Sequence, residues 1–143
     1  MADAKQQGMV RCVIVTPEVT CLDTLARTVT LPLFDGSRGV ARGHAPFIGR
    51  LGAGEVRVTG EQGGAGEAAR SVFVEGGFVE VSHDVVTVIS QRAIPADKID
   101  AAEARAALEK TAATRATGAE ALAAKLTALE SARALVRAAE RSR

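Results

Sequence analysis

Tryptophan and tyrosine are absent from this 143-residue chain, and phenylalanine occurs four times. The core must therefore be aliphatic, and the aromatic platforms on which single-stranded nucleic acid stacks are missing. An excess of charge is missing too. Eighteen Lys and Arg stand against 17 Asp and Glu, a formal net charge of +1, which excludes the basic surplus of a nucleic-acid binder. Cys12 and Cys21 are the only cysteines, and His44 and His83 the only histidines. With no CxxC and no Cys/His cluster, neither a zinc site nor any other metal is expected, and both cysteines read as reduced thiols of a cytoplasmic protein. The opening MADAKQQGMV lacks the apolar segment of a signal peptide. No run approaches the roughly 18 apolar residues of a membrane span, so a soluble chain with no direct insertion into lipid is predicted.

What is present divides near Pro95. Thirteen of the 14 glycines precede it, whereas 19 of the 28 alanines lie in residues 93–143. The first half alternates with the period of a strand. VRCVIV (10–15), EVRVT (55–59) and RSVFVE (70–75) read as strands, and Leu25, Val29, Leu31 and Leu33 fall on one face of a period-two run. GGFVEVSHDVVTVIS (76–90) holds two strands around a Ser-His-Asp turn, and QGGAG (62–66) reads as a hairpin tip. Turn residues every eight to twelve positions predict an antiparallel sandwich or barrel.

The second half reads as an antiparallel helix pair. The first helix runs from Ile99 to about Ala113, with Pro95 at its start and Asp97 as its cap. Thr117-Gly-Ala-Glu120 matches a capping box for a second helix reaching about Glu140. Leu122, Leu126, Leu129 and Val136 form its apolar stripe, and Arg133, Arg137 and Arg141 recur every four residues on another face. An alanine seam buries little area per residue, so the hairpin must lean on the sandwich or on a partner.

The stretch DGSRGVARGHAP (35–46) is the strongest candidate site. Its glycines do not match a phosphate loop or a dinucleotide fingerprint, and no helix follows to hold an anion. Glycine suffices for a turn, so Arg38 and Arg42 point to an interface. Ser82, His83 and Asp84 are chain neighbours on one turn, which is not how a catalytic triad converges. The residues alone thus describe a β-domain plus a helical hairpin serving interaction, without catalytic residues or a cofactor. The competing reading is a free-standing anion- or nucleotide-binding β-sandwich domain with residues 35–44 as its site.

Three blocks carry a family resemblance: Pro17-Glu18 after the first strand, TVTLPLFDGSRGVARGHAPFIGRLGAGEVRV (28–58), and FVEGGFVEVSHDVVTVISQRAI (73–94). Together with the helical pair they resemble the epsilon subunit of the rotary F-type ATP synthase of bacteria. The resemblance implies a ten-stranded antiparallel β-sandwich in residues 1–94 and a two-helix hairpin, regulatory in role, in residues 95–143. It implies a non-catalytic subunit of the central stalk, peripheral on the cytoplasmic face of the plasma membrane, that couples ion-driven rotation to ATP synthesis. The implied partners are the gamma subunit, the ring of c subunits and, when the hairpin extends to inhibit hydrolysis, the alpha/beta catalytic head.

Carried onto this chain, the resemblance assigns Asp35, Gly36, Ser37, Arg38 and Arg42 to the c ring, and His44, Ala45, Pro46 and Gly49 to gamma. Arg133, Arg137 and Arg141 would meet the beta subunits in the extended state. Ser37 and Arg42 stand where the family often has an acidic residue and a proline, which makes this segment more basic. Some relatives sense ATP at the first helix. Here Ile99-Asp100-Ala-Ala-Glu103-Ala104 puts glutamate in the place of the sensor's arginine, and Arg105 lies about 200° further round the helix. This argues against an ATP sensor built on Ile99 and Asp100.

Overall fold

The computed structural model describes residues 8–62 and 69–141. Alternation sets the first strand. In β1 (Val10–Val15), Val10, Cys12 and Ile14 turn inward and are buried, because successive side chains leave a strand on opposite faces. The run expected to continue from Leu25 to Leu33 is split. Thr20–Ala26 is β2 and Thr28–Leu33 is β3. They belong to different sheets. Arg27 makes the crossing, its amide donating to the carbonyls of Thr59 and Gly60 at 3.0 and 3.3 Å. Ala26 rather than Leu25 then enters the core, alongside Val29 and Leu31 of β3.

The remaining strands are β4 (Gly36–Ala41), β5 (Phe47–Arg50), β6 (Ala53–Thr59), β7 (Ala69–Glu75), β8 (Phe78–Ser82), β9 (Val85–Ile89) and β10 (Ala93–Pro95). The ten strands form two five-stranded sheets, ordered β2-β1-β9-β8-β5 and β10-β7-β6-β3-β4. All neighbours are antiparallel except β1 and β9, which run parallel. This is the sandwich expected, with one parallel pair where antiparallel pairing alone was predicted. The core between the sheets is aliphatic, mostly valine, including Val56, Val58, Val72, Val74, Val86 and Val88. Each such side chain contributes about 1.5–3 kcal/mol when fully buried. Beyond Gln62, the hairpin tip expected at 62–66 lies outside the described residues.

One turn shows why the Gly-Gly-Phe run is needed. Gly76 and Gly77 both have positive φ, +70° and +105°, and a side chain on Gly77 would overlap the Ile89 carbonyl. Only glycine fits that approach between β7 and β8.

A 3-10 turn (Ala96–Lys98) leads to α1 (Ala101–Ala113) and then α2 (Ala119–Arg141). The cap of α1 is Asp100, whose carboxylate accepts from the Glu103 amide at 3.1 Å, and not Asp97, which sits in the preceding turn. At α2 the expected capping box gives way to Gly118. Its φ is +93°, and its carbonyl accepts from the Leu122 amide at 3.0 Å.

The C-terminal half of α2 lies on the outer face of the second sheet. There Ala134 and Ala138 close over Phe73, with Ala53, Ile94, Ile99 and Leu135 around them. Small side chains let the helix approach the sheet closely. The expected leucine stripe is used only in part. Leu129 is buried, but Leu122 and Leu126 are exposed, because no side chain in 119–128 is buried at all. The hairpin runs antiparallel, Arg105 near the start of α1 pairing with Glu140 near the end of α2 at 3.2 Å.

Candidate interaction surface

The segment expected as a loop over Asp35–Arg42 is mostly an edge strand. Phe34 and Asp35 make a two-residue turn after β3, and Gly36–Ala41 returns along β3 as β4, at the end of its sheet. Pairing with β3 satisfies one side of β4, and its other side is unpaired sheet edge, which can accept a further chain. Gly36, Ser37, Arg38 and Asp35 are all exposed. Arg38 does not extend freely, however. Its guanidinium lies 4.9 Å from the centre of the Phe47 ring, a cation–π contact.

The chain after β4 turns through Arg42, Gly43 and His44, and this turn is held by the Ser-His-Asp hairpin. His83 and Asp84 both adopt left-handed backbone, φ 52° and 60°, between β8 and β9, the geometry of a two-residue hairpin turn. Asp84 then accepts from the Gly43 amide at 2.7 Å, and its second oxygen lies 3.9 Å from Arg42 Nε. Gly43 has φ +84°, a conformation glycine adopts without cost. Asp84 is thus spent on positioning the Arg42–His44 turn. Ser82 Oγ lies 2.8 Å from His83 Nδ1, the nitrogen a triad carboxylate would need. The three residues do not form a relay.

His44 Nδ1 lies 2.7 Å from the Ala45 carbonyl oxygen, which can only accept, so this nitrogen carries the proton. Its ring tilts against Phe47 with centroids 5.3 Å apart. Phe47 therefore stands between Arg38 and His44 and joins the two groups of candidate residues into one surface. Ala45 and Pro46 are exposed beside it, and Gly49 follows on β5, where an added side chain would press on Leu33, Phe47 and Val79.

Sequence reasoning missed the apolar part of this surface. Phe34 is 70% exposed and Ile48 78% exposed, and the Arg50 guanidinium lies 4.8 Å from the Phe34 ring. Cross-strand register sets Arg50 against Phe78, Phe78 against Ile89, and Ile89 against Val15. An apolar row thus crosses the outer face of the first sheet, with Phe78 and Ile89 exposed. The available signal was the placement of Phe47 three residues from both His44 and Arg50, and of Phe34 four residues before Arg38.

A concavity of about 650 Å³ lies elsewhere on the sandwich, between Arg11, Asp23, Arg42, Gln62 and Asp84. Arg11 grips Asp23 with two bonds of 2.9 and 2.7 Å. Those bonds hold the Asp23 carboxyl below its usual range and raise the Arg11 guanidinium. No group of three or more His, Cys, Asp or Glu stands ready for a metal among the described residues. Burial pushes the Cys12 thiol up to about 12.

The arginine row of α2 is divided by the docked helix. All three are exposed, but Arg137 and Arg141 line a cavity against β6 and Arg133 does not. Arg141 Nη1 reaches Glu55 at 3.3 Å. Ile99 packs against the Phe73 cluster and Asp100 is consumed as a helix cap.

Comparison with known proteins places this geometry. Residues 9–96 match the family model of the ATP synthase delta/epsilon chain, beta-sandwich domain. The chain belongs to the ATP synthase delta/epsilon family. It is similar to the ATP synthase epsilon chain of Rhodopirellula baltica, 52% identical over 95 residues, which cover 66% of this chain and 70% of the relative. It is also similar to the epsilon chain of Synechococcus sp. strain JA-2-3B'a(2-13), 37% identical over 130 residues, 89% of this chain and 90% of the relative. In fold it matches a chain of the Euglena gracilis mitochondrial ATP synthase, solved as OSCP/F1/c-ring. The TM-score is 0.76 at 23% identity, over 96% of this chain and 86% of that one. A chain of the Tetrahymena thermophila central stalk and c-ring matches with TM-score 0.68 at 14% identity, over 90% of this chain and 95% of that one. Epsilon-type membership makes the chain a subunit of an ATP synthase.

Proposed function

We propose that this chain works in the central stalk of a bacterial F-type ATP synthase, passing rotation of the ion-driven c ring to the catalytic head. It does so as an accessory subunit with no catalytic residues of its own. The observation that carries the reading is the continuous surface of β4, the Arg42–His44 turn and β5, in which Phe47 joins Arg38 to His44. Rigid arginines over aromatic rings, beside exposed apolar side chains, are suited to anchoring protein. Asp35, Gly36, Ser37, Arg38 and Arg42 form the part that meets polar loops of the c ring. His44, Ala45, Pro46 and Gly49 form the part that meets gamma.

The sandwich is the stalk-binding unit and the hairpin is regulatory. When the hairpin leaves the sheet, Arg133, Arg137 and Arg141 become free to meet acidic surface of the beta subunits and slow ATP hydrolysis. No helix among the described residues is long and apolar enough to cross a membrane. The subunit then sits peripherally on the cytoplasmic face of the plasma membrane, held there by its partners.

A tagged chain, expressed in its own cells and recovered from detergent-solubilised membranes, tests this. Gamma and the c subunit are expected to come with it. Recovery of the chain alone, from a preparation whose ATP synthase is intact, would overturn the stalk reading.

A further inference from the structure

We infer that Glu55 is a self-weakening latch for the hairpin: a carboxylate trapped under α2 that makes the docked state easy to leave. The inference rests on the proposal that the hairpin lifts in the assembled enzyme. Glu55 lies on the outer face of β6, paired across the strands with Phe73, the residue on which Ala134 and Ala138 sit. Its side chain is only 5% exposed. One oxygen, Oε2, accepts a single 3.3 Å bond from Arg141, whose own side chain is largely in water. The other, Oε1, is fully buried and has no hydrogen-bond partner in the protein.

Glu55, Arg57 and Arg141 line two cavities of about 330 and 280 Å³, and Arg137 lines the smaller one. Neither Arg57 nor Arg137 closes on the carboxylate.

A buried carboxylate loses hydration that one long bond does not replace. Lifting α2 returns both oxygens to water. Docking therefore depends on the apolar contacts of Ala134, Leu135 and Ala138, and Glu55 works against them. An ordinary ion-pair clamp would behave in the opposite way, so the two partners must give opposite effects. Removing the carboxylate relieves the docked state. Removing Arg141 leaves the carboxylate buried with no partner at all.

Hydrogen exchange on the isolated full-length chain reads this directly. Protection of the α2 amides between Leu129 and Ala139 is expected to rise roughly tenfold in Glu55→Met and to fall roughly tenfold in Arg141→Met. The double variant should regain at least the wild-type value. Amides of β7 at Val72 and Val74 report whether the sandwich itself is intact. If Glu55→Met disturbs them, Glu55→Gln, which removes the charge at nearly constant shape, decides in its place. Equal losses in the Glu55 and Arg141 variants would show a clamp, and unchanged protection in the Glu55 variant would show a carboxylate without consequence. Either result overturns the latch. The measurement needs no other subunit, so its failure is separate from failure of the stalk assignment.

Discussion

Arg38 and Arg42 are unequal in the structure although they look alike in sequence. Arg38 stacks over Phe47, whereas Arg42 stands at ion-pair distance, 3.9 Å, from Asp84. Both are exposed, so replacing both by alanine should change the stability of the isolated chain by no more than about 1 kcal/mol. The same variant should reduce the amount of c subunit recovered with the chain from membranes. A loss of several kcal/mol in denaturant titration would make the two arginines structural instead.

Cys12 supports a pH prediction. Its thiol rises from 9.0 toward about 12 because burial disfavours the thiolate. The unfolded chain deprotonates first, so the stabilising effect is complete below about pH 9 and is lost as pH climbs through the folded value. The slope is about 1.4 kcal/mol per pH unit in that window. Cys12→Val should remove this alkaline loss from the pH dependence of urea unfolding. A slope unchanged in the variant would place the loss at another group.

Among the elements, α2 has two halves with different work. Residues 129–139 cover Phe73, and no residue of 119–128 is fully buried. Deleting residues 131–143 removes the docked half together with Arg133, Arg137 and Arg141. ATP hydrolysis by the assembled complex should rise, and added salt should partly mimic the deletion. Exposed pairs of this kind contribute a few tenths to 1 kcal/mol each and weaken under screening. Unchanged hydrolysis in both assays would make the tail a plain helix end. A fragment of residues 1–98 keeps β10 and should still melt in one cooperative step. It uncovers Phe73, and losing that burial should cost about 2 kcal/mol. A fragment without a cooperative transition would show that sandwich and hairpin fold as one unit.

For the molecule as a whole, the surroundings of the first helix bear on nucleotide. Asp100 caps α1, Ile99 is packed under α2, and Glu103 stands exposed where a phosphate would require a cation. Titration calorimetry on the intact chain should show no ATP binding at micromolar affinity, and a clear micromolar isotherm would refute that. The large concavity near Arg11 offers no alternative, since Arg11 is committed to Asp23 by two bonds.

Strand identity was legible in the chain because alternation is a local property. VRCVIV shows which residues are buried before any partner is known, and the glycine-poor, alanine-rich segment after Pro95 can only be helical. The GHAP and GGF runs marked the turns for the same local reason. What local pattern could not carry was everything decided by partners distant in sequence. The split at Arg27, the use of Asp84 to hold Gly43, and the burial of Glu55 under Arg141 all join segments far apart in the chain. Whether an exposed-looking glutamate ends in water or beneath a helix depends on where the sheet places its neighbour. That is settled by packing, after the period of each strand has already been set.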